Sequence, residues 1–228
     1  MIIYQHAITE TEVMALIPND TNQDSVFGIS FRTLPDDNTG VAHILEHSVL
    51  SGSEKYPAKD PFNELMSGSL STFLNALTYP DRTVYPIASR NSADFKNLMS
   101  VYLDAVFRPR VITPDGSWIF RQEGWRVDES EVDVGDNESG SIASGDLHYN
   151  GVVMSEMKGV YSNPDGLMFQ IAQSMLFPDN PYRFDSGGKP SEIPKLTREE
   201  LIDFYKRHYH PSNAQMFLYG SLQDIREG

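Results

Sequence analysis

The chain has 228 residues with six histidines and no cysteine, and 18 lysines and arginines stand against 32 aspartates and glutamates, a formal charge of −14. That balance argues against nucleic acid and against an anionic membrane surface as partners, and no apolar run reaches the roughly 20 residues of a membrane-spanning helix, so no membrane insertion is expected. Without cysteine there is neither a disulfide framework nor a thiolate site, and a metal would have to be held by histidine and carboxylate.

The N-terminus, MIIYQHAITETEVMAL, lacks the layout of a signal or transit peptide and reads as strand from its first residues. Two strands are expected over 2–8 and 12–18, followed by a turn cluster at 19–22. From Ser25 to Arg32, Phe27, Ile29 and Phe31 alternate with Val26, Gly28 and Ser30, the period of a half-buried strand. The loop LPDDNTG, residues 34–40, leads into a helix whose cap is expected at Asn38 or Thr39.

That helix carries His43-Ile44-Leu45-Glu46-His47, an H-x-x-E-H pattern, the reverse of the H-E-x-x-H zinc signature. At i and i+4, His43 and His47 project from one helix face toward one ion, with Glu46 beside them. Two imidazoles leave room on zinc for a third protein ligand and a water, and a carboxylate kept out of the ligand set can take that water's proton. His43 and His47 are therefore candidate zinc ligands and Glu46 the candidate general base. The plainer alternative is a solvated face. Ile44, Leu45, Val49 and Leu50 weigh against it, because they bury the helix, and buried His and Glu need the partner that a metal supplies.

Downstream, a short helix is expected from Asp60-Pro61 to Met66, then an extended edge segment, then a strand over 83–88. Phe95, Leu98, Met99, Tyr102, Leu103 and Val106 repeat at helical spacing within a helix over 91–107 and read as core. A shorter helix covers 114–123 and a strand 125–128. Residues 129–146, rich in Asp, Glu, Ser and Gly, read as a flexible insertion. A helix over 150–161 is capped by Asn150, and a second, capped at 163–165, runs to about Phe177. Thr197 to Glu200 form a capping box before a helix ending near His208, and 213–219 is a last strand. Strands adjoin strands and helices adjoin helices more than they alternate, which points to an α+β, two-layer sandwich with a mostly antiparallel sheet covered on one face by helices.

A two-histidine site needs a third protein ligand. Glu156 lies mid-helix among Val152, Val153, Met157 and Val160, where it is expected to be partly buried and in need of a cation; Lys158, at i+2, lies on another face. On the residues alone, Glu156 ranks only slightly ahead of Glu54, Glu64 and Glu123.

GVAHILEHSVLSGSEKYPAKDPF, GSLSTFLNALTYPDRTVYP, FRQEGWR, GVVMSEMKGVYSNPD, SGGKPSEIPKLT and HYHPSNAQMFLYG together resemble the pitrilysin/insulinase family of zinc metallopeptidases, the inverzincins, and within it the presequence protease and falcilysin branch. The resemblance runs over nearly the whole chain. It implies the pitrilysin-like metallohydrolase fold, one Zn2+ held by His43, His47 and Glu156, and Glu46 as base. It matches Asn75 and Ala76 to the edge segment that binds the substrate backbone. The family often has a second carboxylate seven residues before the distal ligand; here that position is Tyr149, with Asp146 nearby. The resemblance further implies that residues 1–228 form a single N-terminal catalytic domain of a longer, two-half protein. Its missing C-terminal half would close the chamber and supply an Arg and a Tyr to the tetrahedral intermediate.

The expected function is a zinc-dependent metalloendopeptidase acting on short unstructured peptides, with cleaved organelle targeting peptides as the implied class. The implied location is the mitochondrial matrix or plastid, or the cytoplasm in a prokaryote. The alternatives are a non-catalytic pitrilysin-like subunit, or a fragment that binds zinc and peptide without efficient turnover. A purely structural zinc module is disfavoured, since no cysteine is present to close the fourth position.

Overall fold

In a computed structural model the described residues are 1–19, 24–59, 61–129 and 146–221. The expected insertion at 129–146 lies, but for its two ends, outside them, as do Asp60 and most of the 19–22 turn cluster.

The alternation of Ser25–Arg32 is realised as the central strand of the sheet. This strand, β3, follows β1 (Ile2–Gln5) and β2 (Glu12–Leu16) and buries Phe27, Ile29 and Phe31 while Val26, Gly28 and Ser30 stay half-buried on the other side. Its neighbours continue the buried face. In antiparallel register, Ile87, Tyr85 and Thr83 of β6 (Arg82–Ser89) face Phe27, Ile29 and Phe31, and Leu218, Met216 and Ala214 of β9 (Ala214–Tyr219) face the same three from the other side. The sheet order is β1-β2-β9-β3-β6-β4, with β4 (Ser71–Leu74) at the edge and the two-residue β5 (Leu77–Thr78) also on β6. β2 and β9 pair in parallel and the other pairs are antiparallel. Helices cover the buried face, so the α+β sandwich expected from the sequence is observed.

The motif helix α1 (Val41–Val49) lies in the middle of this layer with Ile44, Leu45 and Val49 fully buried. Phe95, Leu98, Tyr102 and Val106 of α3 (Ser92–Phe107) and Leu201 and Phe204 of α7 (Arg198–His208) join the same core. The caps are partly as expected. Asn91 accepts from the Ala93 and Asp94 amides, Asn163 accepts from the Asp165 amide at the start of α6 (Pro164–Leu176), and Thr197 and Glu200 form the reciprocal capping box of α7. The short α2 runs from Pro61 to Gly68 and α4 from Ser117 to Glu123. Among the described residues no helix is long and apolar enough to cross a membrane.

Two caps differ from expectation. Neither Asn38 nor Thr39 caps α1; the cap is Gly40, at φ 70° and with no side-chain bond. The Thr39 hydroxyl is engaged by Asp37, while the Asn38 side chain accepts from the Asp185 amide and its carbonyl from Lys189. Asn150 does not cap α5 (Val152–Ser162) but ends a strand, β8 (Leu147–Asn150), that pairs with β7 (Arg126–Glu129), and Gly151 takes the cap position. β8 has only four residues and its partner lies about 20 residues earlier in the sequence, so no local period announces it.

Gly40 serves a close approach. A Cβ there would meet the Gly187 carbonyl oxygen at 2.6 Å, and one on Gly188 would meet the Gly40 Cα at 2.9 Å. Gly40→Ala should therefore lower stability by about 1–3 kcal/mol through backbone strain, more if the clash is not relieved. Gly28→Ala, where no atom lies within 4 Å of an added Cβ, should be neutral or slightly stabilising. Thermal unfolding of the two variants checks this, and equal midpoints would contradict it.

Candidate metal centre

The helical spacing of His43 and His47 brings their rings edge to face, centroids 4.9 Å apart at 74°. Their Nε2 atoms point toward α5, where Glu156 Oε2 lies 3.5 Å from His43 and 3.7 Å from His47. The donor atoms of the three residues all lie within 4.8 Å of one another, and among the described residues this is the group of histidines and acids that could hold a metal ion. Two imidazoles and a carboxylate, with one side open, are a donor set that suits a zinc ion with a free position.

Each histidine faces a further element through its other nitrogen. His43 Nδ1 lies 3.1 Å from the Gly187 carbonyl oxygen. A carbonyl only accepts, so this contact places the proton on Nδ1 and leaves the Nε2 lone pair free in the neutral ring. His47 Nδ1 lies 3.6 Å from Glu123 Oε2, at the end of α4.

Glu46 is buried, unlike the half-exposed Glu156, and stands outside the three-residue group. Its Oε2 accepts a 2.7 Å hydrogen bond from the Thr78 hydroxyl of β5. The centre opens into a cleft of about 610 Å³ whose lining includes Glu46, Glu123, Glu156, Thr78, Asn75 and Ala76. Asn75 and Ala76 lie between β4 and β5. The Asn75 side chain accepts from the Ala76 amide, and its carbonyl accepts from the buried Tyr102 hydroxyl.

Burial pulls the His43 pKa down, but the Glu156 carboxylate, Glu46 and the Gly187 carbonyl outweigh it, and the net shift is upward from 6.5. The contact with His43 holds Glu156 below the usual carboxylate value, against partial desolvation.

The other carboxylates weighed for the third position take other places. Glu54 is exposed beside Arg108, Glu64 is exposed on α2, and Glu123 faces Nδ1 of His47, not Nε2. Lys158 turns away from Glu156 to donate to the Tyr149 carbonyl. Tyr149 stacks its ring edge to face with Trp125 and offers no carboxylate. Glu156 is more open than its neighbours implied: Val153 and Met157 are buried, while Val152 and Val160 are exposed. Thr78 and the Gly187 carbonyl were not foreseen. The Gly187-Gly188 pair was the available signal, since two glycines mark a backbone that passes close to another.

Residues 16–119 match the insulinase family (peptidase family M16), and residues 195–226 match the peptidase M16 inactive domain. The chain is 52% identical over 219 residues to presequence protease 1, chloroplastic/mitochondrial, of Arabidopsis thaliana, covering 96% of this chain and 19% of that protein. It is 49% identical over 225 residues to protein HypA of Clostridium perfringens, covering 98% and 22%, and 46% identical over 217 residues to the mitochondrial presequence protease of Drosophila melanogaster, covering 95% and 20%. Its fold superposes on a crystal structure of pitrilysin with a TM-score of 0.68 at 19% identity, covering 96% of this chain and 21% of that one. The chain carries an insulinase domain, of peptidase family M16, over residues 16–119. It spans about a fifth of the length of the curated relatives it matches.

The charge pair at the centre has a defined pH window when chelator keeps the protein metal-free. The lowered Glu156 contributes stability above its unfolded value of 4.5, lost as pH falls through the folded value; the raised His43 contributes below 6.5, lost as pH rises through the folded value. The melting-temperature difference between wild type and Glu156→Gln in chelator should thus be largest between about pH 4.5 and 6.5 and shrink above. A difference that grows steadily toward pH 9 would contradict the pairing.

Proposed function

We propose that this chain is the metal-bearing catalytic domain of a zinc metalloendopeptidase that hydrolyses short unstructured peptides. The observation that carries this reading is the convergence of His43 Nε2, His47 Nε2 and Glu156 on one point, with Glu46 outside that group but opening into the same cleft. His43, His47 and Glu156 would hold the ion. A bound zinc supplies Lewis acidity toward a carbonyl and lowers the pKa of a water.

The chain's own residues do the rest. Glu46 takes the proton from the attacking water and returns it to the leaving amine, a role worth about 10²–10⁴-fold in rate. Thr78 holds the Glu46 carboxylate in one orientation. β4 ends the sheet, so its outer edge is suited to pairing with an extended peptide, and Asn75 and Ala76 sit where that peptide would pass into the cleft. The acidic lining favours basic peptides, the class to which cleaved targeting sequences belong.

The rest of the protein is part of this reading. No residue of α6 is buried, and Met168, Phe169, Met175 and Leu176 are exposed on it, an apolar surface suited to burial against further chain. A C-terminal half would cover the cleft and add donors to the developing oxyanion, so the 228 residues alone are expected to turn over slowly. The organellar names of several relatives favour a mitochondrial or plastid setting, and the clostridial relative fits a bacterial cytoplasm equally well.

Metal analysis should find one zinc per chain, lost in His43→Ala. In a protein that includes the C-terminal half, Glu46→Gln should keep the zinc and lose activity by about 10²–10⁴-fold. Loss of zinc together with activity would instead make Glu46 a ligand.

A further inference from the structure

We propose that Glu123 is the positioning residue of the metal centre, a carboxylate that fixes the ring of His47 and raises its strength as a ligand. The inference rests on the reading of His43, His47 and Glu156 as metal ligands.

Glu123 is buried, and a buried carboxylate needs partners. Its Oε1 accepts from the Ser51 hydroxyl at 3.2 Å and from the Gln122 side-chain amide at 2.9 Å. Its Oε2 is turned to His47 Nδ1 at 3.6 Å, an ion-pair separation and longer than a hydrogen bond. Because it meets Nδ1, Glu123 cannot join the ligand set on the Nε2 side; it can only orient the ring and polarise it.

The local fold puts it there. α4 is capped by Gly124, where a Cβ would meet the Phe120 carbonyl at 2.8 Å and Ile44 Cγ2 at 3.1 Å. The chain therefore turns tightly against α1, which sets the last residue of α4 beside His47. Ser51, just past α1, closes the contact from the other side; its hydroxyl also lies 3.2 Å from the His47 carbonyl, so its one proton is shared between the two acceptors.

The two histidines are thus held unequally. His43 has a neutral carbonyl on Nδ1, and His47 has a carboxylate. A carboxylate behind a ligating imidazole fixes the tautomer and makes the ring a stronger donor, and removing such a partner typically weakens metal binding by about 10–100-fold.

The test uses the whole chain and zinc alone. Zinc affinity of wild type and Glu123→Gln is measured by competition with a chromophoric chelator, and the tautomer of His47 is read from imidazole ¹⁵N shifts of the metal-free wild type above pH 7.5. Glu123→Gln should bind zinc about 10–100-fold more weakly. His47 should be the Nδ1–H tautomer, a result that does not depend on the variant folding. Affinity within twofold of wild type, or a His47 that is mainly Nε2–H, would overturn the proposal. A wild type that holds no zinc would overturn the metal reading as well, whereas zinc held equally by wild type and variant overturns this inference alone.

Discussion

A helix with eight of its nine residues buried holds His43 and Glu46 among apolar neighbours, with the half-buried His47 beside them at the cleft. An ionisable group buried without a partner costs several kcal/mol, more than a single neutral hydrogen bond, at about 0.5–1.5 kcal/mol, returns. The Ser48 hydroxyl donates to the Ile44 carbonyl within α1, but each of the three ionisable side chains meets another element, and a different one in each case. Gly187, in the connection before α7, meets His43; Thr78 of β5 meets Glu46; Glu123 of α4 meets His47; Glu156 of α5 faces both Nε2 atoms. The centre is not an ornament on a finished fold, because the same contacts that make it also tie α4, α5, β5 and the glycine connection to α1.

This accounts for the glycines where the connection before α7 meets α1. Gly40 begins α1 in the left-handed region because the connection carrying Gly187 and Gly188 lies against it, too near for a Cβ on either side. A side chain at Gly187 would also strike Met157 of α5. The approach brings a backbone carbonyl within reach of His43 without another side chain. On the opposite side, the buried Tyr102 anchors the Asn75 carbonyl, so the cleft wall that bears the edge segment is fastened to the core of α3.

The layers and most elements were legible in the sequence because they follow from local periods: the alternation of β3, the helical spacing of α3, the capping box of α7. The H-x-x-E-H triplet was legible for the same reason, since its geometry is set within one helical turn. What sequence did not yield was every contact that spans the fold. Glu123 stood among several acids with nothing local to separate it. Thr78 looked like any strand threonine, and the Gly187 carbonyl has no side chain to notice. The caps of α1 and α5 were misread for a related reason. Asn38, Thr39 and Asn150 are good capping residues, but other partners had already taken their side chains. Glu156 was distinguished from the other acids by resemblance, and its half-open setting was not what its apolar neighbours implied.

The central claim is that one ion binds between α1 and α5 through two Nε2 atoms and one carboxylate. Anomalous diffraction at the zinc edge, on crystals of the zinc-loaded chain, tests it most directly. The account predicts a single peak at roughly 2.0–2.2 Å from His43 Nε2, His47 Nε2 and a Glu156 oxygen, with Glu46 and Glu123 outside the coordination shell. A peak ligated by Glu46 or Glu123, or by either histidine through Nδ1, would contradict it.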